Sequence, residues 1–188
     1  MNNKLLDALA LKPQACPPIW LMRQAGRYMP SYQKVRKQAG SFMNLCKSPE
    51  LACEATLQPI DQFDLDAAII FSDILTIPDA VDCGLQFHEG KGPIVHKPIR
   101  SMKDVLERVN FDISDVEYVF EAISMTKKAL AGRVPLIGFA GAPWTLACYM
   151  VEGTLSKTLQ VIKALTHTDP TMIQALLAKL EQAVTEYC

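Results

Sequence analysis

Two rhythms of apolar positions alternate along this chain, and their order predicts an α/β fold. Residues 3–10 carry apolar side chains at helical spacing and predict a short amphipathic helix. The run PPIWLMRQA (17–25) is apolar, introduced by two prolines, and predicts a first strand. A helical composition returns at about 31–40. Ser48-Pro49-Glu50 then offers a capping serine, a proline at the first helical position and an acid in the first turn, so a helix is expected from there to about Phe63.

Continuous apolar runs mark strands buried on both faces of a parallel sheet, and DAAIIF (66–71) and PLIGF (135–139) are of that kind. Between them, 78–100 is rich in Gly and Pro and reads as a loop or short hairpin, followed by a helix from about Asp115 to Leu130. Pro143 is placed to open a short helix, and helical segments follow at about 156–167 and 170–186. Strands alternating with helices argue for a parallel α/β fold. Three strands are few for a complete sheet, and a closed (β/α)₈ barrel takes ~250 residues. The chain also ends inside a helix, at AVTEYC, with no glycine cap. The expectation is an incomplete larger domain, with no repeat, linker or internal boundary.

Composition narrows this only a little. Of 188 residues, 49% are hydrophobic and 21% charged, an ordinary globular balance. No run approaches the ~20 apolar residues that cross a bilayer, and the N-terminal apolar stretch is too short for a signal peptide. Cys16, Cys46, Cys53, Cys83, Cys148 and Cys188 form no CxxC pair, so reduced, mostly buried thiols in a cytoplasmic protein are expected, without a disulfide or a metal site.

Charge changes the picture more. No acid lies between Asp7 and Glu50, yet that stretch holds Lys12, Arg23, Arg27, Lys34, Arg36, Lys37 and Lys47. Net charge is −1, so acids dominate the remainder. A locally cationic segment in a near-neutral chain suggests a site for an anion.

Three polar clusters follow directly after the predicted strands, where α/β folds place their ligands. In MRQAGRYMPSY, Arg23 and Arg27 flank Gly26, which suits a tight turn and close ligand approach. Guanidinium groups grip carboxylates through paired hydrogen bonds, and Arg36 extends the cationic rim. In AAIIFSDIL, Asp73 comes straight after a buried strand; such a carboxylate either caps the next helix or awaits donors from a ligand. Asp61, Asp64 and Asp66 read as solvated helix-end and loop residues. In GFAGAPWTLACYMVEG, Gly138 and Gly141 would admit a flat ligand to the backbone, and Tyr149 would point its hydroxyl toward the mouth. Trp144 and Phe139 read as core. His88, His96 and His167 share no metal-ligand or nucleophile–base spacing and read as incidental.

Together PIWLMRQAGRYMPSY, CKSPELACEATLQPIDQFDLDAAIIFSDIL and GFAGAPWTLACYMVEG closely resemble the uroporphyrinogen decarboxylase family, over essentially the whole chain. The resemblance implies a (β/α)₈ TIM barrel of which residues 1–188 are the first half, within one domain. It implies a cytoplasmic homodimer that converts the four acetate side chains of uroporphyrinogen to methyls, giving coproporphyrinogen and CO₂ without cofactor or metal. The family's substrate loop falls on Arg23, Gln24, Ala25, Gly26 and Arg27, its aspartate on Asp73 and its active-site tyrosine on Tyr149. Tyr32 and Arg36 match further substrate-contacting positions. Asp73, Arg23, Arg27 and Tyr149 are the expected catalytic residues. A half-barrel leaves a strand edge and part of its core uncovered, so the 188 residues alone are expected to be inactive.

Two alternatives belong beside this. A methyltransferase of the same barrel superfamily would need zinc held by His and Cys, and no His-x-Cys occurs here. A non-catalytic tetrapyrrole, anion or nucleic-acid binder would rest on the basic segment; for nucleic acid, only Tyr28 and Tyr32 are interleaved aromatics. Neither a nucleic acid nor a membrane is the expected partner.

Overall fold

The computed structural model describes residues 2–88, 92–154 and 156–188. In chain order its elements are α1 (Lys4–Leu9), α2 (Pro30–Ala39), α3 (Phe42–Lys47), α4 (Pro49–Gln62), β1 (Ala68–Ile69), α5 (Thr76–Ala80), β2 (Leu85–His88), β3 (Gly92–Val95) and α6 (Met102–Arg108). A 3₁₀ turn (Ile113–Val116) leads into α7 (Glu117–Leu130), followed by β4 (Leu136–Ile137), α8 (Pro143–Glu152), α9 (Gln160–Thr168) and α10 (Pro170–Tyr187). The result is a helix-rich α/β structure. Its contacts gather into two units, one of residues 1–72 and 117–139, the other of 73–116 and 140–188.

The first unit is built on a parallel pair. Ala68 of β1 faces Leu136 of β4, and Ile69 faces Ile137; the flanking amides of Ala68 and Ile70 donate to Pro135 O (2.9 Å) and Ile137 O (3.0 Å). The predicted strands at 66–71 and 135–139 therefore exist, each with only two residues in the ladder. Helices α4 and α7 pack together beside this pair. Ser48 caps α4 as its sequence implies, its hydroxyl accepting from the Leu51 amide. Inside α4, the Thr56 hydroxyl donates to Ala52 O (2.7 Å) and accepts from Phe71 N (2.9 Å), tying the helix to the end of β1.

The strand expected at 17–25 does not form. Pro17 and Pro18 have no amide to donate, and the next backbone groups find partners elsewhere. Ile19 N donates to Asp66 Oδ2 (2.8 Å), and Asp66 N returns a bond to Ile19 O (2.8 Å). Farther along, Gln24 N closes a turn onto Leu21 O (3.2 Å), so the segment bonds partly to side chains and partly to itself and joins no ladder. This also corrects the reading of Asp66 as a solvated loop residue. Asp66 is 4% exposed and also accepts from Asn2 Nδ2 (2.7 Å) and pairs with Lys4 Nζ (3.1 Å). Those donors, the Asn2 amide first and the Ile19 backbone next, hold its carboxyl below the usual carboxylate range. Asp61 is paired too, with Arg133 at 2.6 Å.

The second unit has a larger apolar core. In α10, Met172, Ile173, Leu176, Leu180 and Ala183 recur at helical spacing, all buried, against Leu146, Met150 and Val151 of α8 and Ile99 and Val105. The Gly/Pro-rich stretch contains an antiparallel hairpin, β2 with β3, in the register Leu85↔Val95 to His88↔Gly92; its connecting residues 89–91 lie outside the described residues. Three short helices, α3, α5 and α6, were not expected. Ser41 and Ser101 cap α3 and α6, accepting from the amides of Asn44 and Asp104.

Candidate active site

The arginine loop is fixed by a buried glutamine. Gln24 is 1% exposed; its side-chain amide donates to Ala67 O (3.2 Å) and its carbonyl accepts from Leu21 N (3.2 Å). The Tyr28 hydroxyl donates to the backbone carbonyl of Gln24. Farther along, Met29 N closes onto Gly26 O (3.0 Å) and Gln33 Nε2 onto Arg27 O (2.6 Å). Between these ties Arg23 and Arg27 are both exposed. Among the described residues neither guanidinium has an ion-pair partner. Gly26 is not what allows the turn: its φ is not in the left-handed region, and a Cβ there would meet the Tyr28 ring at an ordinary 3.5 Å.

Helix α2 adds the next two residues. Tyr32 is buried against Phe71, ring centroids 5.6 Å apart, and Ala25 packs on the same cluster. Burial pushes the Tyr32 phenol up, while the nearby Arg36 and Arg27 charges pull the other way. Arg27, Tyr32 and Arg36 therefore lie within electrostatic reach of one another, on one cationic side of the first unit.

Asp73 begins the second unit. It is half-buried, and its Oδ1 accepts from Leu75 N (2.8 Å), an Asx turn that leads the chain into α5. The neighbouring Ile74 packs against Gly141. A Cβ on Gly141 would sit 2.4 Å from Leu146 Cδ2 and 3.2 Å from Ile74 Cβ. Internal packing of the Asp73 loop on α8 requires that glycine, not the approach of a ligand; Gly138, by contrast, faces open space. In α8, Tyr149 is half-buried, one side on the core and the other lining a pocket of about 250 Å³ with Trp144 and Cys148. Trp144 is 41% exposed, not a core residue; Phe139 does pack on a core cluster. Burial, with Glu152 second, pushes the Cys148 thiol up, keeping it protonated.

Thus the sequence-derived residues fall into two groups. Arg23–Arg27, Tyr32 and Arg36 lie in the first unit, Asp73 and Tyr149 in the second. Sequence spacing missed the bracing role of Asp66 and the position of Trp144. The structure also brings His88 and His96 together, exposed and edge-to-face with centroids 6.0 Å apart. Among the described residues no three His, Cys, Asp or Glu side chains gather around a possible metal ion, and no helix is long and apolar enough to cross a membrane.

The sequence profile of the family described as Uroporphyrinogen decarboxylase (URO-D) matches residues 1–188. The chain belongs to the uroporphyrinogen decarboxylase family. Relatives agree: a uroporphyrinogen decarboxylase from Hydrogenovibrio crunogenus is 54% identical over 187 residues, covering 99% of this chain and 53% of its own length. One from Nitrosococcus oceani is 55% identical over 187 residues, covering 99% and 52%. The chain spans about half the length of the curated relatives it matches. Among solved structures, a methyltransferase from Methanosarcina mazei superimposes with a TM-score of 0.72 at 18% identity, over 99% of this chain and 53% of that one. That likeness concerns the fold alone.

Proposed function

We propose that residues 1–188 form about the first half of a single (β/α)₈ barrel domain that decarboxylates the four acetate side chains of uroporphyrinogen, giving coproporphyrinogen. The observation that carries this reading is the pinned loop with Arg23 and Arg27 exposed and, among the described residues, without ion-pair partners. Two exposed cations carried on a braced loop suit a substrate bearing many carboxylates. The barrel reading draws support from β4, which among the described residues pairs only with β1. Beside it runs a groove of about 520 Å³ lined by Leu6, Ile123, Leu130 and Leu136. With that edge unpaired, the 188 residues alone are proposed to lack turnover. A cytoplasmic homodimer is part of the same proposal.

Decarboxylation needs a place for the electron pair left when CO₂ departs. Protonation of the pyrrole at its α-carbon supplies it: the C–CO₂ bond breaks, its electrons neutralise the ring cation as an exocyclic methylene, and proton uptake there with loss of the ring proton yields the methyl. No cofactor is needed. In this reading Asp73 accepts hydrogen bonds from the pyrrole N–H groups and stabilises the developing positive charge. Its engagement with Leu75 N already orients it. Arg23 and Arg27, with Gln24, Ala25 and Gly26 as the loop that carries them, hold the departing acetate. A guanidinium is a reluctant proton donor, so a water held by one of them delivers the proton. Tyr32 and Arg36 extend the grip on the remaining acids, and Tyr149 borders the reacting ring. The side chain of Gln24 braces the loop, so its contact with substrate runs through the backbone.

Arg27→Ala, made in the longest reading frame containing this chain, is expected to raise KM for uroporphyrinogen roughly tenfold or more, as loss of a charge-assisted bond implies. The salt dependence of kcat/KM should weaken with it. An unchanged KM would contradict the assignment.

A further inference from the structure

The second unit holds an aromatic recess whose lining the proposed chemistry leaves almost unused. Trp144 and Thr145 stand on the first turn of α8, and Cys148 and Tyr149 follow one turn later, so all four share a face of the helix. The residues that face inward on the same helix, Leu146, Ala147, Met150 and Val151, are fully buried. Yet Trp144 stays 41% exposed. Opposite this face stand Thr154, Ser156 and Leu159, and together the seven residues enclose about 250 Å³.

The far wall is held in place. Thr154 forms an antiparallel bridge with Ile94 of β3. Leu159 N donates to Ser156 Oγ (3.0 Å), and just beyond, Ile162 N donates to Glu152 Oε1 (3.0 Å). Leu159 itself takes a left-handed backbone, φ 52°, which a leucine adopts only when its surroundings impose it. These ties hold Thr154 and Leu159 beside α8.

Its chemistry is selective. None of the seven side chains is charged at neutral pH. Its lining combines an indole, a phenol and an isobutyl side chain with the hydroxyl-bearing residues Thr145, Thr154 and Ser156. A carboxylate placed here would lose water and find no charged partner among the seven lining residues. A flat, uncharged heteroaromatic ring would stack on the indole and give its N–H to a hydroxyl. The volume takes one five-membered ring, not a tetrapyrrole.

We propose that this recess binds one pyrrole ring of the substrate by its face, with Trp144 as the stacking platform and the ring's acid side chains directed outside. This rests on the reading of the protein as a tetrapyrrole decarboxylase. It makes Trp144 a specificity-determining residue, distinct from the arginines that read charge and from Asp73 that supports the reaction.

The test has two arms. In the longest reading frame containing this chain, Trp144→Ala should raise KM for uroporphyrinogen roughly fivefold or more with kcat little changed, and Trp144→Phe, which keeps a stacking face, should recover most of the loss. A KM within twofold of the parent for Trp144→Ala overturns the proposal, as does an equal loss in both variants. In the same reading frame, quenching of tryptophan emission by anaerobic uroporphyrinogen should be saturable and should shrink in Trp144→Ala; equal quenching in parent and variant also overturns the proposal. If the parent protein shows no decarboxylation, the underlying reading fails, and this binding arm alone decides whether the recess holds a pyrrole.

Discussion

Asp73→Asn is expected to lower the rate of uroporphyrinogen decarboxylation at least about a hundredfold, the cost typical of removing one preorganised group from a developing charge, while the protein folds as before. The two halves of that expectation have separate origins. Asn retains an acceptor oxygen for Leu75 N, the 2.8 Å bond that sets the turn into α5, so the loop keeps its course and Ile74 its place beside Gly141. What Asn lacks is the negative charge opposite the pyrrole cation. KM should move little, because the arginines supply most of the ground-state attraction. The measurement is kcat and KM for both proteins together with their melting curves. Near-normal kcat removes Asp73 from the mechanism; a collapse of the melting transition instead gives it a structural role.

The second large effect concerns folding. Asp66→Ala should destabilise the first unit by about 2–4 kcal/mol, the range expected when a buried carboxylate with charged and neutral donors is deleted. Asn2, Lys4 and the Ile19 amide all converge on it, so the variant frees α1 and the extended segment leading to Arg23 at once. The effect depends on pH in a defined sense. The folded carboxyl titrates below its unfolded value of about 3.9, so its contribution is fully present above that value and disappears as pH falls through the folded pKa. The stability gap between parent and variant should be flat from pH 8 to about 5 and close below about 4. Chemical denaturation at several pH values measures it. A gap under about 0.5 kcal/mol at pH 7 would show that Asp66 does not anchor the arm.

Local signals predicted local structure well. Ser48-Pro49-Glu50 announced α4, and Pro143 announced α8, because capping acts within one turn. The apolar runs at 66–71 and 135–139 announced the parallel pair. The segment 17–25 misled for a definite reason: its partners, Asp66 and the carbonyl of Ala67, lie more than forty residues downstream, and bonds from side chain to backbone leave no periodic trace. Short helices were passed over as well, although Ser101 with Asp104 three residues later carries a capping signature. Gly141 had a signal of the right kind, a small residue beside a site, read for the wrong neighbour. Trp144 is the plainest case. Helical spacing says which residues share a face, but not whether that face meets core or cavity.

The site divides in the same way. The cationic stretch was visible because charge can be counted, and the arginine loop because its residues are adjacent in sequence. Gln24 stood among the expected substrate contacts, and only its buried ties to Leu21 and Ala67 reveal the bracing role. Arg27, Tyr32 and Arg36 come together through one turn of chain and the start of α2, a distance over which sequence still predicts space.

The central claim is best tested by counting carboxylate losses. Uroporphyrinogen, kept reduced and anaerobic, would be incubated with the longest reading frame containing this chain, with the 188-residue form alongside, and the products weighed by mass spectrometry. Stepwise loss of four CO₂ per tetrapyrrole by the longer protein, and none by the shorter, is the predicted result. Recovery of intact substrate from both would contradict the decarboxylase reading.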